Sequence, residues 1–186
     1  MIDSKNVLEE YLQIEEELYK EIGYKNKLHS FVTQCEVGKI MAYMRILRKD
    51  EYYTNKKNKS ILDKVFALIY RRRHNQLGGK LGLSIPVNTF GKGLLIYHSQ
   101  GIIVHKDARC GEYCKLHGNN CIGNKGSEKN ERTTPIIGDG LDLGVGAVII
   151  GGIVLGNNMK VAANAVVCKS FEKENGILAG VPAKLK

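Results

Sequence analysis

The chain holds only 3 prolines in 186 residues and no apolar run long enough to cross a bilayer. Its first twenty residues, MIDSKNVLEEYLQIEEELYK, are acidic and lack the apolar segment of a secretory signal. A cytoplasmic location is therefore expected. Cysteine is scarce and odd in number: Cys35, Cys110, Cys114, Cys121 and Cys168. In a reducing compartment that count excludes a disulfide framework and leaves free thiols. The spacings match no zinc template, so no metal is expected. Acid is outnumbered by base, 19 residues against 28, for a formal charge of +9. That balance suits a phosphate-bearing cofactor, an acidic polymer or a membrane surface, and equally a solvated basic face. No nucleic-acid partner is expected.

Glycine, by contrast, is plentiful at 21 residues. It supplies corners at positive φ. Between 137 and 167 an aliphatic residue recurs every sixth position: Ile137, Leu143, Ile149, Leu155, Val161 and Val167. A period of six is neither the two of a plain strand nor the 3.6 of a helix. It fits a solenoid in which each hexad is one short flat side and three hexads close a triangular coil. The aliphatics then stack coil on coil as the core. Upstream, Ile96, Val104, Cys110, Leu116 and Ile122 continue the series with two interruptions. Two extra residues fall between Ile96 and Val104, where His98, Ser99, Gln100 and Gly101 lie. A polar excursion, roughly GNKGSEKNERTTP, separates Ile122 from Ile137. Interruptions on a rigid solenoid are where function tends to be placed.

Residues 1–82 read as a helical domain and 83–186 as the solenoid. Leu8, Tyr11, Leu12 and Ile14 begin one amphipathic helix. SFVTQCEVGKIMAYMRILRKDEYY forms a second, with Ile40, Met41, Met44 and Leu47 on its buried face. Ser60 caps a third, whose buried side is expected to be Val65, Leu68, Ile69 and Leu77, ending at Gly78 and Gly79. The run Arg71-Arg72-Arg73-His74 fits either an anion contact or cations near a helix C-terminus. Cys110, Cys114 and Cys121 read as small apolar filler of the coils. His98, His105 and His117 could hold zinc only between subunits.

With this register the chain resembles the left-handed β-helix acyltransferases of the hexapeptide-repeat superfamily. It is most similar to serine acetyltransferases and to O-acetyltransferases of cell-surface polysaccharides. The resemblance runs from about Ile85 to Lys186 and rests on FGKGLLIYHSQGIIV, KLHGNNCIGNKG, IIGDGLDLGVGAVIIGGIVLG and AGVPAK. It implies a mainly β fold preceded by an α-helical domain, a homotrimer or a dimer of trimers, and acetyl-CoA bound between neighbouring solenoids. His98 inherits the role of general base on an acceptor hydroxyl. That role suits a side chain titrating near neutrality at a register slip. His117, one coil above Tyr97, lines the same groove as base partner or hydrogen-bond donor, or is a stacking residue of the rungs. The resemblance assigns the cofactor to Val145 with Gly146 and Ala147, to Ala163, to Cys168 and to Lys169. Lys184 joins Lys169 as a partner for CoA phosphates, and Asn124 and Lys125 open the excursion loop above it.

Three departures bear on the acceptor. In serine acetyltransferases an aspartate precedes the catalytic histidine, where this chain has Tyr97. An Arg-His pair precedes the proline of the excursion, where it has Thr133 and Thr134 before Pro135, so Tyr97, Thr133 and Thr134 are by resemblance the residues expected to contact the acceptor. A further upstream aspartate falls on Leu83. Each missing group would meet a charged part of serine. The expected acceptor is therefore a saccharide hydroxyl, on a capsular or other surface polysaccharide or its precursor. Serine is the alternative. A non-catalytic scaffold and a metal hydratase of γ-carbonic-anhydrase type are the readings from other classes.

Overall fold

A computed structural model describes residues 1–126 and 133–186. The central part of the excursion, 127–132, lies outside the described residues. The chain divides into two compact units, Met1–Gly82 and Leu83–Lys186.

The first unit is four helices: α1 (Lys5–Glu21), α2 (Lys27–Thr33), α3 (Glu36–Asn55) and α4 (Ile61–Leu81). The long middle segment read as one helix breaks at Gln34, which adopts a left-handed φ of 53° between α2 and α3. The others pack on α3, whose Ile40, Met41, Met44 and Leu47 are buried as expected. The same helix also buries Arg48 completely, between Glu15 of α1 and Glu51. The guanidinium donates to Glu15 through Nε and Nη2 at 2.9 and 2.6 Å and to Glu51 through Nη1 at 2.8 Å. Burial works against its charge, but the two carboxylates outweigh burial and hold it above its ordinary pKa.

α4 begins as expected at Ser60, whose hydroxyl accepts from the Asp63 N–H while the Asp63 carboxylate accepts from the Ser60 N–H. Its buried side is not the expected one. Val65, Leu68 and Ile69 are 47%, 73% and 39% exposed. The side turned to α3 carries His74 instead, with Nδ1 2.9 Å from Asp50 Oδ2 and Nε2 2.9 Å from the Tyr43 hydroxyl. Arg71 also donates to Asp50, at 2.8 Å. Burial raises the Asp50 carboxyl, and the hydrogen bonds from His74 and Arg71 more than reverse it. Polar pairing rather than the apolar stripe thus fixes the face of α4. Gly78 is buried and does not end the helix, which runs on to a left-handed Gly82. No helix among the described residues is long and apolar enough to cross a membrane.

The second unit is a triangular parallel β-solenoid, in line with the fold class expected. Its first side stacks Leu83–Ser84, Ile102–Val104, Cys121–Gly123, Val148–Ile150 and Val166–Val167. The second stacks Arg109–Cys110, Ile136–Ile137 and Val154–Leu155. The third stacks Leu95–Ile96, Lys115–Leu116, Asp142–Leu143, Lys160–Val161 and Ile177–Ala179, closed by the antiparallel Lys184–Leu185. The six aliphatics of the hexad series are all buried and in register: Ile137 beside Leu155, Leu143 beside Val161, Ile149 beside Val167. Stacking identical short sides leaves each inward side chain resting on its counterpart a coil away, which makes the core continuous. Cys110 and Cys114 lie within it as filler. Burial raises both thiols, Cys114 to about 12.

Candidate active site

The corner where the third side passes into the first carries the candidate chemistry. Its geometry follows from the hydrogen-bond ladder. The Tyr97 N–H donates to Leu116 O at 2.9 Å, His117 N–H to Leu143 O at 3.1 Å, Gly144 N–H to Val161 O at 2.9 Å and Ala162 N–H to Leu178 O at 2.8 Å. Tyr97, His117, Gly144 and Ala162 therefore form one outward column. The next positions, His98, Gly118, Val145 and Ala163, form a second column at the corner itself.

His98 stands at the foot of that second column and is exposed. The two extra residues are absorbed here, with Gln100 and Gly101 both left-handed at φ 77° and 66°. Above His98 the column is bare at Gly118, which has φ 111°. A Cβ built on Gly118 would lie 3.4 Å from the His98 Cβ. Val145 and Ala163 above it are exposed, and Gly146 takes φ 71°. The Gly146 N–H donates to Gly118 O at 3.0 Å and the Asn164 N–H to Val145 O at 2.9 Å, locking these corners coil to coil. The small residues are needed sterically: a Cβ on Gly144 would lie 2.7 Å from the Ala163 nitrogen. The outcome is a flat edge of small residues running up from a histidine.

In the first column the His117 ring stacks on Tyr97, with centroids 4.5 Å apart and planes 16° from parallel. Its Nε2 lies 2.8 Å from Asp142 Oδ1, and both side chains are about one-third exposed. Stacking and catalytic contact, which the sequence left as alternatives for His117, are thus compatible in one arrangement. Asp142 was not singled out from sequence. It lies 25 residues from His117, and only the length of the excursion brings the two together.

Four of the remaining cofactor candidates lie at the other edge of the first side. Asn124 and Lys125 follow Cys121–Gly123, while Cys168 and Lys169 follow Val166–Val167, and all four are exposed. The Gly151 N–H donates to Gly123 O at 3.1 Å, and the Lys125 Cβ lies 3.5 Å from where a Gly151 Cβ would stand. Lys184 is on the terminal strand of the third side, also exposed. The candidates therefore border both long edges of one side instead of gathering in one pocket. Between them runs an outward stripe that sequence reasoning missed: Ile103, Cys121, Val148 and Val166. Its signal was legible, since each residue directly precedes an inward aliphatic and all four are apolar. The equivalent residues of the third side include Lys115, Asp142 and Lys160.

Two expectations need correction. Ala147 is fully buried, so its side chain belongs to the core, and its N–H is already given to Gly144 O at 3.1 Å. Thr134 is buried and its hydroxyl donates to Asp107 O at 3.3 Å. A hydroxyl spent on the backbone to seat the end of the excursion does not face an acceptor. Thr133 is half-buried, and its carbonyl accepts from the Lys125 N–H at 3.2 Å, closing the base of the excursion. No group of three or more His, Cys, Asp or Glu among the described residues could hold a metal ion.

The architecture is a triangular parallel β-solenoid preceded in sequence by a helical unit, and comparisons with known proteins find the same arrangement. No family model matches the chain. Serine acetyltransferase 4 of Arabidopsis thaliana is 33% identical over 123 residues, covering 66% of this chain and 33% of that protein. The serine acetyltransferase of Brucella abortus superposes with a TM-score of 0.72 at 22% identity, over 98% of this chain and 70% of that one. The soybean enzyme, solved in complex with serine, gives a TM-score of 0.72 at 19% identity over the same shares, 98% and 70%. These likenesses establish the fold and bear out the resemblance to serine acetyltransferases. The chain spans about a third to under half of the length of the curated relatives it matches first.

Proposed function

We propose that the chain is an acetyl-CoA-dependent O-acetyltransferase in which His98 is the general base. The acceptor hydroxyl gives its proton to His98 as its oxygen attacks the thioester carbonyl. The C–S bond then breaks, and the proton leaves with the CoA thiolate as free thiol. The observation that carries this reading is the corner column: an exposed histidine beneath Gly118, Val145 and Ala163, where nothing bulky blocks a thioester from lying along the backbone. An extended pantetheine arm needs such an edge, with polar groups at its far end for phosphates. Lys125, Lys169 and Lys184 are exposed cations that meet that need as point charges. A homotrimer belongs to the same reading. The apolar stripe Ile103, Cys121, Val148 and Val166 supports it, because Ile103 is 57% exposed in the single chain. A cytoplasmic site of action also belongs to it.

For the acceptor, serine is the reading the relatives favour, since those reported above are all serine acetyltransferases. The saccharide reading has no such support. One specific observation keeps it as the second reading. Leu83 is buried in the core, Tyr97 is committed to a ring stack and Thr134 to a backbone carbonyl. None of them offers serine the charged partner that the resemblance leads one to expect. A thiol-release screen with acetyl-CoA against L-serine, hexosamines, uronic acids and oligosaccharides decides between them. Turnover with L-serine alone establishes the first reading, and turnover with a sugar alone establishes the second. Release with no acceptor at all overturns the proposal.

A further inference from the structure

We propose that Asp142 is a positioning residue that turns His117 into a fixed hydrogen-bond acceptor for the acceptor molecule. The ligand class is a hydroxyl compound bearing a second donor group beside the reacting oxygen. This inference rests on the O-acetyltransferase reading and holds for either acceptor, because the ammonium of serine and the neighbouring hydroxyl of a sugar are both such donors.

The argument starts from the pair. A carboxylate only accepts, so the 2.8 Å contact with Asp142 Oδ1 requires the hydrogen of His117 on Nε2. In the neutral ring Nδ1 is then the lone-pair nitrogen, and it has no hydrogen-bond partner among the described residues. The Tyr97 ring, 4.5 Å away and nearly parallel, fixes the plane of the imidazole, and the carboxylate fixes its rotation. A ring held in plane, rotation and tautomer is prepared to receive one donor. The position fits, since Tyr97 is covalently next to His98 and His117 is next to Gly118, which packs on the His98 Cβ. His117 and the base therefore share one corner. The charged groups that the departures at Leu83, Tyr97, Thr133 and Thr134 remove would otherwise have gripped the acceptor. The Asp142–His117 pair restores an acceptor-holding group from a different coil. Asp142 itself touches no substrate in this arrangement.

The test has two arms on the full chain. Nitrogen-15 NMR of the His117 imidazole reads the tautomer directly and needs no turnover. Wild type should show Nε2–H, and titration with L-serine or with a hexosamine should move the Nδ1 resonance. Asp142→Asn should lose the single tautomer and the response. In steady-state kinetics, Asp142→Asn should raise the KM of the acceptor about tenfold, as for loss of one well-made hydrogen bond. The KM of acetyl-CoA should stay unchanged, and Asp142→Glu should restore part of the loss. An Nδ1–H tautomer in wild type overturns the proposal, as does a resonance unmoved by either compound. So does an Asp142→Asn variant that loses kcat with acceptor KM intact. If no compound turns over while the resonance still shifts, the transferase reading fails and acceptor binding by His117 stands.

Discussion

Replacing Arg48 by methionine should destabilise the helical unit more than any other single change in it. The side chain is fully buried, as is Glu15, and Glu51 is 2% exposed. Methionine fills much of the volume but leaves two carboxylates without the cation that both face. Breaking a buried ion pair from one side costs about 3–5 kcal/mol, because an uncompensated charge remains in a poorly hydrated interior. Against a total stability of about 5–15 kcal/mol, that is enough to populate the unfolded unit. Tyr11 adds to the loss, since its ring lies 5.0 Å from the guanidinium carbon. The assay is urea unfolding followed by circular dichroism at the helical minimum, whose signal comes from α1–α4. The control is the triple variant Arg48→Met, Glu15→Leu, Glu51→Met. It removes all three charges and should recover to within about 1 kcal/mol of wild type, as replaced buried triads do elsewhere. A single variant that loses under 1 kcal/mol would refute the reasoning, as would a triple variant no more stable than the single.

Three further outcomes follow from the same structure. The Lys56 ammonium, then the Ser60 N–H and hydroxyl, hold the Asp63 carboxyl down at about 2. Since that value lies below the unfolded one near 3.9, the cap stabilises α4 above about pH 4 and loses its effect as pH falls through about 2. Acid titrations of wild type and Asp63→Asn, followed by circular dichroism, should differ at neutral pH and converge at pH 2. Burial raises the thiols of Cys110 and Cys114, so both should resist a neutral-pH thiol reagent until the chain unfolds, whereas the exposed Cys168 should react at once. Peptide mapping after brief labelling reads this directly. Gly118→Ala forces a side chain onto φ 111° directly above the base, so it should reduce acetyl transfer about tenfold or more while circular dichroism stays native.

The hexad series placed the core of the solenoid residue by residue, because each inward aliphatic rests on a counterpart at a fixed spacing. The same register located the slip at His98, a departure that only a strict repeat makes visible. The face of α4 was not legible. Its apolar residues ring the helix, and the buried side is chosen by His74 and Asp63 finding partners on α3 and the preceding loop, a pairing that spacing along one helix does not encode. Thr134 was misread for a related reason. Its alignment with a family position suggested a ligand contact, whereas the local backbone supplies a carbonyl for its hydroxyl. Asp142 stayed hidden because its partner lies across the excursion, and the pairing depends on how many residues the loop removes from the coil.

The central claim is that His98 is the base of an acetyl transfer, and His98→Ala measures it most directly. Thiol release from acetyl-CoA should be followed with the acceptor that wild type prefers, on a variant whose circular dichroism and oligomer size match wild type. General-base catalysis contributes about 10²–10⁴-fold, so kcat should fall by that factor with the KM of acetyl-CoA little changed. A variant that keeps its wild-type rate contradicts the account, and with it the assignment of the corner column as the active site.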